Sequence, residues 1–195
     1  MRELDRTFCK QANSAVRLLA VYRYYEGLMP RTLVIGYGNL DRADDGVAYY
    51  VINSLRRRLG QEPLLEYNTG LEDLGAQTDA IFLTQLVPEL IDTLIDYDQV
   101  IFVDAHVCED VPDLHCTPVL PAYVPSAFTH HMPPGMLLAL LQALHDREPA
   151  GYIVSIHGHD FDFRRGLSPA AEMLVAPATE SILQLLRQPG EDRCH

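Results

Sequence analysis

Hydrophobic and polar positions along this chain switch repeatedly between strand-like and helix-like spacing from Arg31 onward. Thr32 to Ile35 is a short β-branched and apolar run of the kind buried on both faces of a sheet. It breaks at Gly36-Tyr37-Gly38-Asn39. Val47, Val51, Leu55 and Leu59 then recur at i+4 spacing and predict a helix from about Asp45 to Leu59. Asp44 is its expected N-cap and Gly60 its stop. Pro63 to Tyr67 and Ala80 to Leu83 read as strands, and Pro88 opens a helix reaching about Tyr97. Gln99 to Val103 is the clearest central strand, closed by Asp104. After an irregular stretch, a strand is expected near Thr117–Leu120, a helix over Pro134–His145 and a strand over Tyr152–Ile156. A polar loop from His157 to Ser168 precedes a last helix, Pro169 to Arg187, which Pro177 should kink or split. Strand and helix in alternation predict an α/β fold with three layers, α/β/α, around a mostly parallel, twisted sheet.

The first thirty residues read as an appendage, in which Val16, Leu18, Leu19, Val21, Tyr22 and Tyr25 form an apolar stripe ended by Gly27 and Pro30. A second expectation is a natural start at Met29, just ahead of the first strand. The division expected is therefore 1–30 as an extension, 31–187 as the main domain and 188–195 as a tail. With 48% hydrophobic and 22% charged residues, the chain can fill a core and stay in solution. Its net charge of −12 argues against nucleic acid, which needs a basic surface. No run approaches the ~20 apolar residues of a membrane span, and Asp5, Lys10 and Arg17 interrupt any secretory signal. The 4 cysteines (Cys9, Cys108, Cys116, Cys194) lack CxxC spacing and are expected as free thiols in the cytoplasm.

In a parallel α/β sheet, ligands sit outside the carboxyl ends of the strands. Asp44-Asp45, Asp104 and His130-His131 all fall there. Capping accounts for Asp44, whereas Asp45 is free to project over the sheet edge. Two carboxylates and an imidazole would make an incomplete metal shell with open positions, suited to zinc, nickel or manganese. His157-Gly158-His159-Asp160, with Asp162 nearby, offers a second chelating arrangement, although polar loops gather such residues simply because they are solvated. His106 and His115 read as surface residues. The glycine turn lacks the third glycine of GxGxxG, and Asp41, Asp44 and Asp45 would repel a pyrophosphate.

Leu33-Val34-Ile35-Gly36-Tyr37-Gly38-Asn39 followed by Asp44-Asp45-Gly46-Val47 resembles the amino-terminal signature of the hydrogenase maturation proteases. Ile101-Phe102-Val103-Asp104-Ala105 is similar to their second motif, and Thr129-His130-His131-Met132-Pro133 to their third. Gly166-Leu167-Ser168-Pro169 also fits, so the resemblance runs in order through residues 31–187. The chain departs from the family at Ala48, usually glycine, and at Asp45, which some members replace by glutamate. A family segment tied to substrate choice is reduced here to Glu66-Tyr67-Asn68-Thr69.

The resemblance implies a nickel-recognising, aspartic-type endopeptidase. Such an enzyme removes a short carboxy-terminal peptide from the nickel-loaded precursor of a [NiFe]-hydrogenase large subunit. It further implies that Asp45, Asp104 and His130 are the catalytic and metal-contacting residues, His130 being chosen over His131 by its distance from Pro133. The nickel is expected to be the substrate's own, with zinc or cadmium able to occupy the site in vitro. No nucleic acid or membrane partner is expected, and the enzyme should be a cytoplasmic monomer. Residue types leave open whether a carboxylate acts as general base or a metal polarises the scissile carbonyl. Two other readings remain: a non-catalytic metal- or precursor-binding chaperone, and an unrelated metallohydrolase using His157, His159 and Asp160.

Overall fold

The computed structural model describes residues 30–123 and 132–187. The chain divides into two compact units, Met1–Pro30 and Arg31–His195, and every element below belongs to the second. Strands β1 (Thr32–Tyr37), β2 (Thr78–Leu83), β3 (Gln99–His106), β4 (Leu114–Pro118) and β5 (Ala150–His157) form one sheet in the order β2-β1-β3-β5-β4. Every pairing is parallel except that of β4 with β5.

Alternation along each strand sends side chains to opposite faces. Val34, Ile101, Val103, Val154 and Ile156 meet helices α1 (Val47–Arg58) and α4 (Pro169–Arg187). Leu33, Ile35, Val100 and Phe102 meet α2 (Ile91–Leu94) and α3 (Pro134–His145) on the other face. The two cores make the expected three layers. After β1 the chain runs outward to β2, then returns to the opposite flank of β1 as β3. The strand order therefore reverses between β1 and β3, and in open α/β sheets ligands bind outside the carboxyl ends at such a switch point.

Several expectations are corrected by where backbone groups find partners. Pro63–Tyr67 forms no strand. Leu64 instead bonds to the α1 side chains: its N–H donates to Asn53 Oδ1 (2.6 Å), and its carbonyl accepts from Asn53 Nδ2 (3.2 Å) and the Tyr49 hydroxyl (2.8 Å). Arg56, only 4% exposed, donates from the same helix to the carbonyls of Glu62 and Ala80 and to Asp73. The helix expected over Pro88–Tyr97 is a 3-10 turn, Pro88–Leu90, followed by the short α2. β4 begins at Leu114, ahead of the expected Thr117. Pro177 does not split α4, which runs unbroken over 19 residues. Cys108 is an exposed free thiol, but Cys116 is disulfide-bonded, which corrects the expectation of free thiols throughout. No helix among the described residues is long and apolar enough to cross a membrane.

Candidate active site

β1 ends in the glycine turn, and the turn folds back onto Asp45. Gly38 has φ +145°, and a Cβ there would lie 2.0 Å from the Asp45 carbonyl oxygen, so no side chain fits. The approach lets the Asn39 N–H donate to Asp45 Oδ2 at 3.1 Å. Asp45 itself sits half-buried on a 3-10 turn, Ala43–Gly46, that leads into α1. The Asn39 side chain is held inside the turn by accepting from the Asp41 N–H (2.9 Å).

Asp44, expected as the helix N-cap, has another task. It lies within the 3-10 turn, whose N-cap position is Arg42, and it is wholly buried. Its carboxylate accepts from the N–H groups of His159 (2.9 Å), Asp160 (3.0 Å) and Ser168 (2.6 Å) and from the Ser168 hydroxyl (2.8 Å). Burial alone would raise its pKa, but the hydrogen bonds from Ser168, His159 and Asp160 prevail and hold the carboxyl below its ordinary value. Ser168 in turn caps α4, its hydroxyl accepting from the Ala171 N–H at 3.2 Å. Asp44 thus ties the loop after β1 to the loop before α4.

Asp104 lies within the final stretch of β3, which continues to His106 rather than ending at Val103. It stands on the α2/α3 face, two residues after Phe102. Its Oδ1 accepts the Ala105 N–H at 2.8 Å. The Tyr37 side chain, from the neighbouring end of β1, also hydrogen-bonds to it. Burial, then the charge of Asp104 and that hydrogen bond, push the Tyr37 hydroxyl far above its ordinary pKa, so it stays protonated and donates. Tyr37 read only as a turn residue in the sequence. Its place one step past the last β1–β3 pair, Gly36–Val103, was the available signal.

His130 and His131 lie outside the described residues. Asp45 and Asp104 are both at the carboxyl edge of the sheet, one on the loop after β1 and one on β3. Beside Asp45 lies a cavity of about 510 Å³, lined by Gly38, Asn39, Glu66, Tyr67, Thr69 and Thr84 among others. The segment Glu66-Tyr67-Asn68-Thr69 therefore forms one wall of it. Arg165 bridges the cavity's acidic margin by pairing with both Asp41 (2.8 Å) and Glu66.

The loop after β5 holds more order than a solvated loop requires. Asp160 is taken up by Arg164, which donates to its Oδ2 from Nε (2.9 Å) and Nη2 (2.6 Å), and by the Asp162 N–H (2.9 Å) on Oδ1. His157 pairs instead with Asp113 (3.1 Å). His106 and His115, read as surface residues, are half-buried and stand ring to ring 4.9 Å apart. Burial, then the neighbouring His115 and His157, depress the pKa of His106 and keep it neutral.

No protein-family model matches the chain, and no curated protein matches it in sequence. Solved structures do match in shape. The hydrogenase maturating endopeptidase HybD from Escherichia coli superposes with a TM-score of 0.60 at 21% identity, covering 80% of this chain and 92% of that one. The [NiFe] hydrogenase maturation protease HycI from Thermococcus kodakarensis gives 0.58 at 16% identity, over 85% and 99% of the two chains. HybD from the same organism gives 0.55 at 15% identity, over 80% and 99%. The chain therefore has the fold of the solved hydrogenase maturation endopeptidases, the family its three motifs resemble.

Proposed function

We propose that the chain is a cytoplasmic, monomeric endopeptidase that trims the carboxy terminus of a nickel-loaded [NiFe]-hydrogenase large-subunit precursor. The observation that carries this reading is the placement of Asp45 and Asp104 at the carboxyl edge where the strand order reverses, in a fold shared with solved hydrogenase maturation endopeptidases. Each carboxylate is oriented by a backbone N–H, from Asn39 and Ala105 respectively, so its position is set before any substrate arrives.

The donor set fits the proposed substrate. Carboxylate oxygens with an imidazole from His130 form a borderline shell that a divalent nickel ion accepts. In this reading the nickel belongs to the precursor, and Asp45, Asp104 and His130 contact it as a feature of the substrate. A precursor lacking nickel would forfeit that binding energy, so cleavage would follow only correct metal loading. The cavity beside Asp45 offers room for residues flanking the scissile bond, with Glu66 and Tyr67 in its wall.

The test is incubation of the purified chain with nickel-loaded precursor, read by intact mass. The expected result is loss of a short carboxy-terminal peptide with the parent chain. Asp45→Ala, Asp104→Ala and His130→Ala should each remain folded and leave the precursor whole. Processing by all three variants would overturn the assignment, and binding without cleavage by the parent would identify a chaperone instead.

A further inference from the structure

The carboxyl edge carries a second polar cluster, which the proposed peptidase chemistry does not use. His106 and His157 are paired in register across β3 and β5, and their rings stack at 5.2 Å with an interplanar angle of 13°. The ring of His159 lies 4.3 Å from that of His157. Asp113, on the turn before β4, reaches the same place and holds His157 Nδ1 at 3.1 Å from its Oδ1. Asp113, His157 and His159 each present one ligand atom, and all three atoms lie within 4.8 Å of one another.

We propose that Asp113, His157 and His159 form a binding site for a divalent transition-metal ion, distinct from the Asp45/Asp104 pair. The spacing is the first argument. Two ligands bound at about 2.0–2.2 Å in a tetrahedral shell stand about 3.3–3.6 Å apart, a few tenths of an ångström beyond the 3.1 Å between His157 Nδ1 and Asp113 Oδ1. An ion entering there replaces the proton shared by that pair, and a modest turn of the exposed His159 side chain completes the third contact.

The surroundings supply the second argument. His106 packs flat against His157 and is itself fixed by Ser155, whose hydroxyl lies 3.0 Å from its Nδ1. The His157 ring is therefore oriented without a metal, as a preorganised ligand must be. The opposite Nε2 of His106 is buried without a hydrogen-bond partner among the described residues, which marks this cluster as polar and incompletely satisfied. Asp160, the carboxylate nearest in sequence, is committed to Arg164 and the Asp162 N–H, so Asp113 is the acid that serves the histidines. Two imidazoles and one carboxylate favour Zn²⁺ or Ni²⁺ over Mg²⁺ or Ca²⁺, which take all-oxygen shells. Three protein ligands at an exposed edge leave a coordination position for water.

Equilibrium dialysis of the untagged, EDTA-stripped full chain against Zn²⁺ tests the site, using the Asp45→Asn/Asp104→Asn double variant to silence the carboxylates of the proposed peptidase site. The expected result is one Zn²⁺ per chain retained by that double variant. Adding His159→Ala or Asp113→Asn should weaken the binding at least about tenfold, while circular dichroism remains that of the parent because both side chains are exposed. Zn²⁺ affinity unchanged by His159→Ala and Asp113→Asn would overturn the proposal. So would loss of all Zn²⁺ in the double variant, or equal retention of Mg²⁺. None of these outcomes depends on peptidase activity.

Discussion

Asp44 shows how a residue's role is decided by contacts far away in the sequence. As a carboxylate ahead of a helix it reads as a cap, yet its four hydrogen-bond donors come from residues 159–168. Asp44→Ala would leave those buried donors unpaired, at a cost of about 3 kcal/mol or more. Chemical denaturation at neutral pH should register that loss. The pH dependence has a definite sign. The unfolded carboxyl protonates near pH ~3.9, whereas the folded one holds its charge to lower pH. Its stabilisation is therefore complete above pH ~4 and fades as the pH falls through the folded pKa. Unfolding midpoints measured between neutral pH and pH ~3 should fall less steeply for Asp44→Asn than for the parent. An equally steep fall in both would show that Asp44 does not carry this linkage.

Among the elements, those with their own periodicity were legible and those held by side chains were not. β1, β3, α1, α3 and α4 follow directly from runs of apolar residues at the spacing of a strand or helix. Pro63–Tyr67 had the composition of a strand, but Asn53 and Tyr49 satisfy the Leu64 backbone that a neighbouring strand would otherwise have paired. Nothing local announces such a bond. Asp45 and Asp104 were legible as site candidates because each comes after the apolar run of a strand. Tyr37 and Asp113 were not, because their partners lie on other strands. Pro177 is a third case, in which the local rule holds but the element survives it. It lies on the exposed side of α4, where water can take up the carbonyl left without its N–H partner. Replacing it with alanine should restore the missing bond, worth about 3 kcal/mol in a helix interior. Greater freedom of the unfolded chain offsets about 1 kcal/mol of that. A net gain of ~2 kcal/mol is expected in the denaturant midpoint, and a loss would show that α4 depends on the bend proline imposes.

At the scale of the whole molecule, alternating strands and helices identified the layers, and topology then located the switch point between β1 and β3. Net charge adds a property of the molecule as a unit. With 27 acidic residues against 15 basic ones, a net charge of −12, the folded chain repels itself. Lowering ionic strength from ~0.15 M to ~0.01 M extends the Debye length from about 8 to 30 Å. The thermal midpoint should therefore fall on desalting, and a rise would mean that paired surface charges outweigh the net repulsion.

The Asp44–Ser168 bond also bears on when the molecule becomes competent. It joins residues separated by 124 positions, so it closes late, after most of the chain has been brought together. During synthesis the amino-terminal strands and α1 can associate while the loop carrying Asp45 still lacks its far anchor. A growing chain that ends before Ser168 holds both proposed catalytic carboxylates but not the tie that steadies one of them. The Asp44 tie is thus complete only once the chain has been made through Ser168.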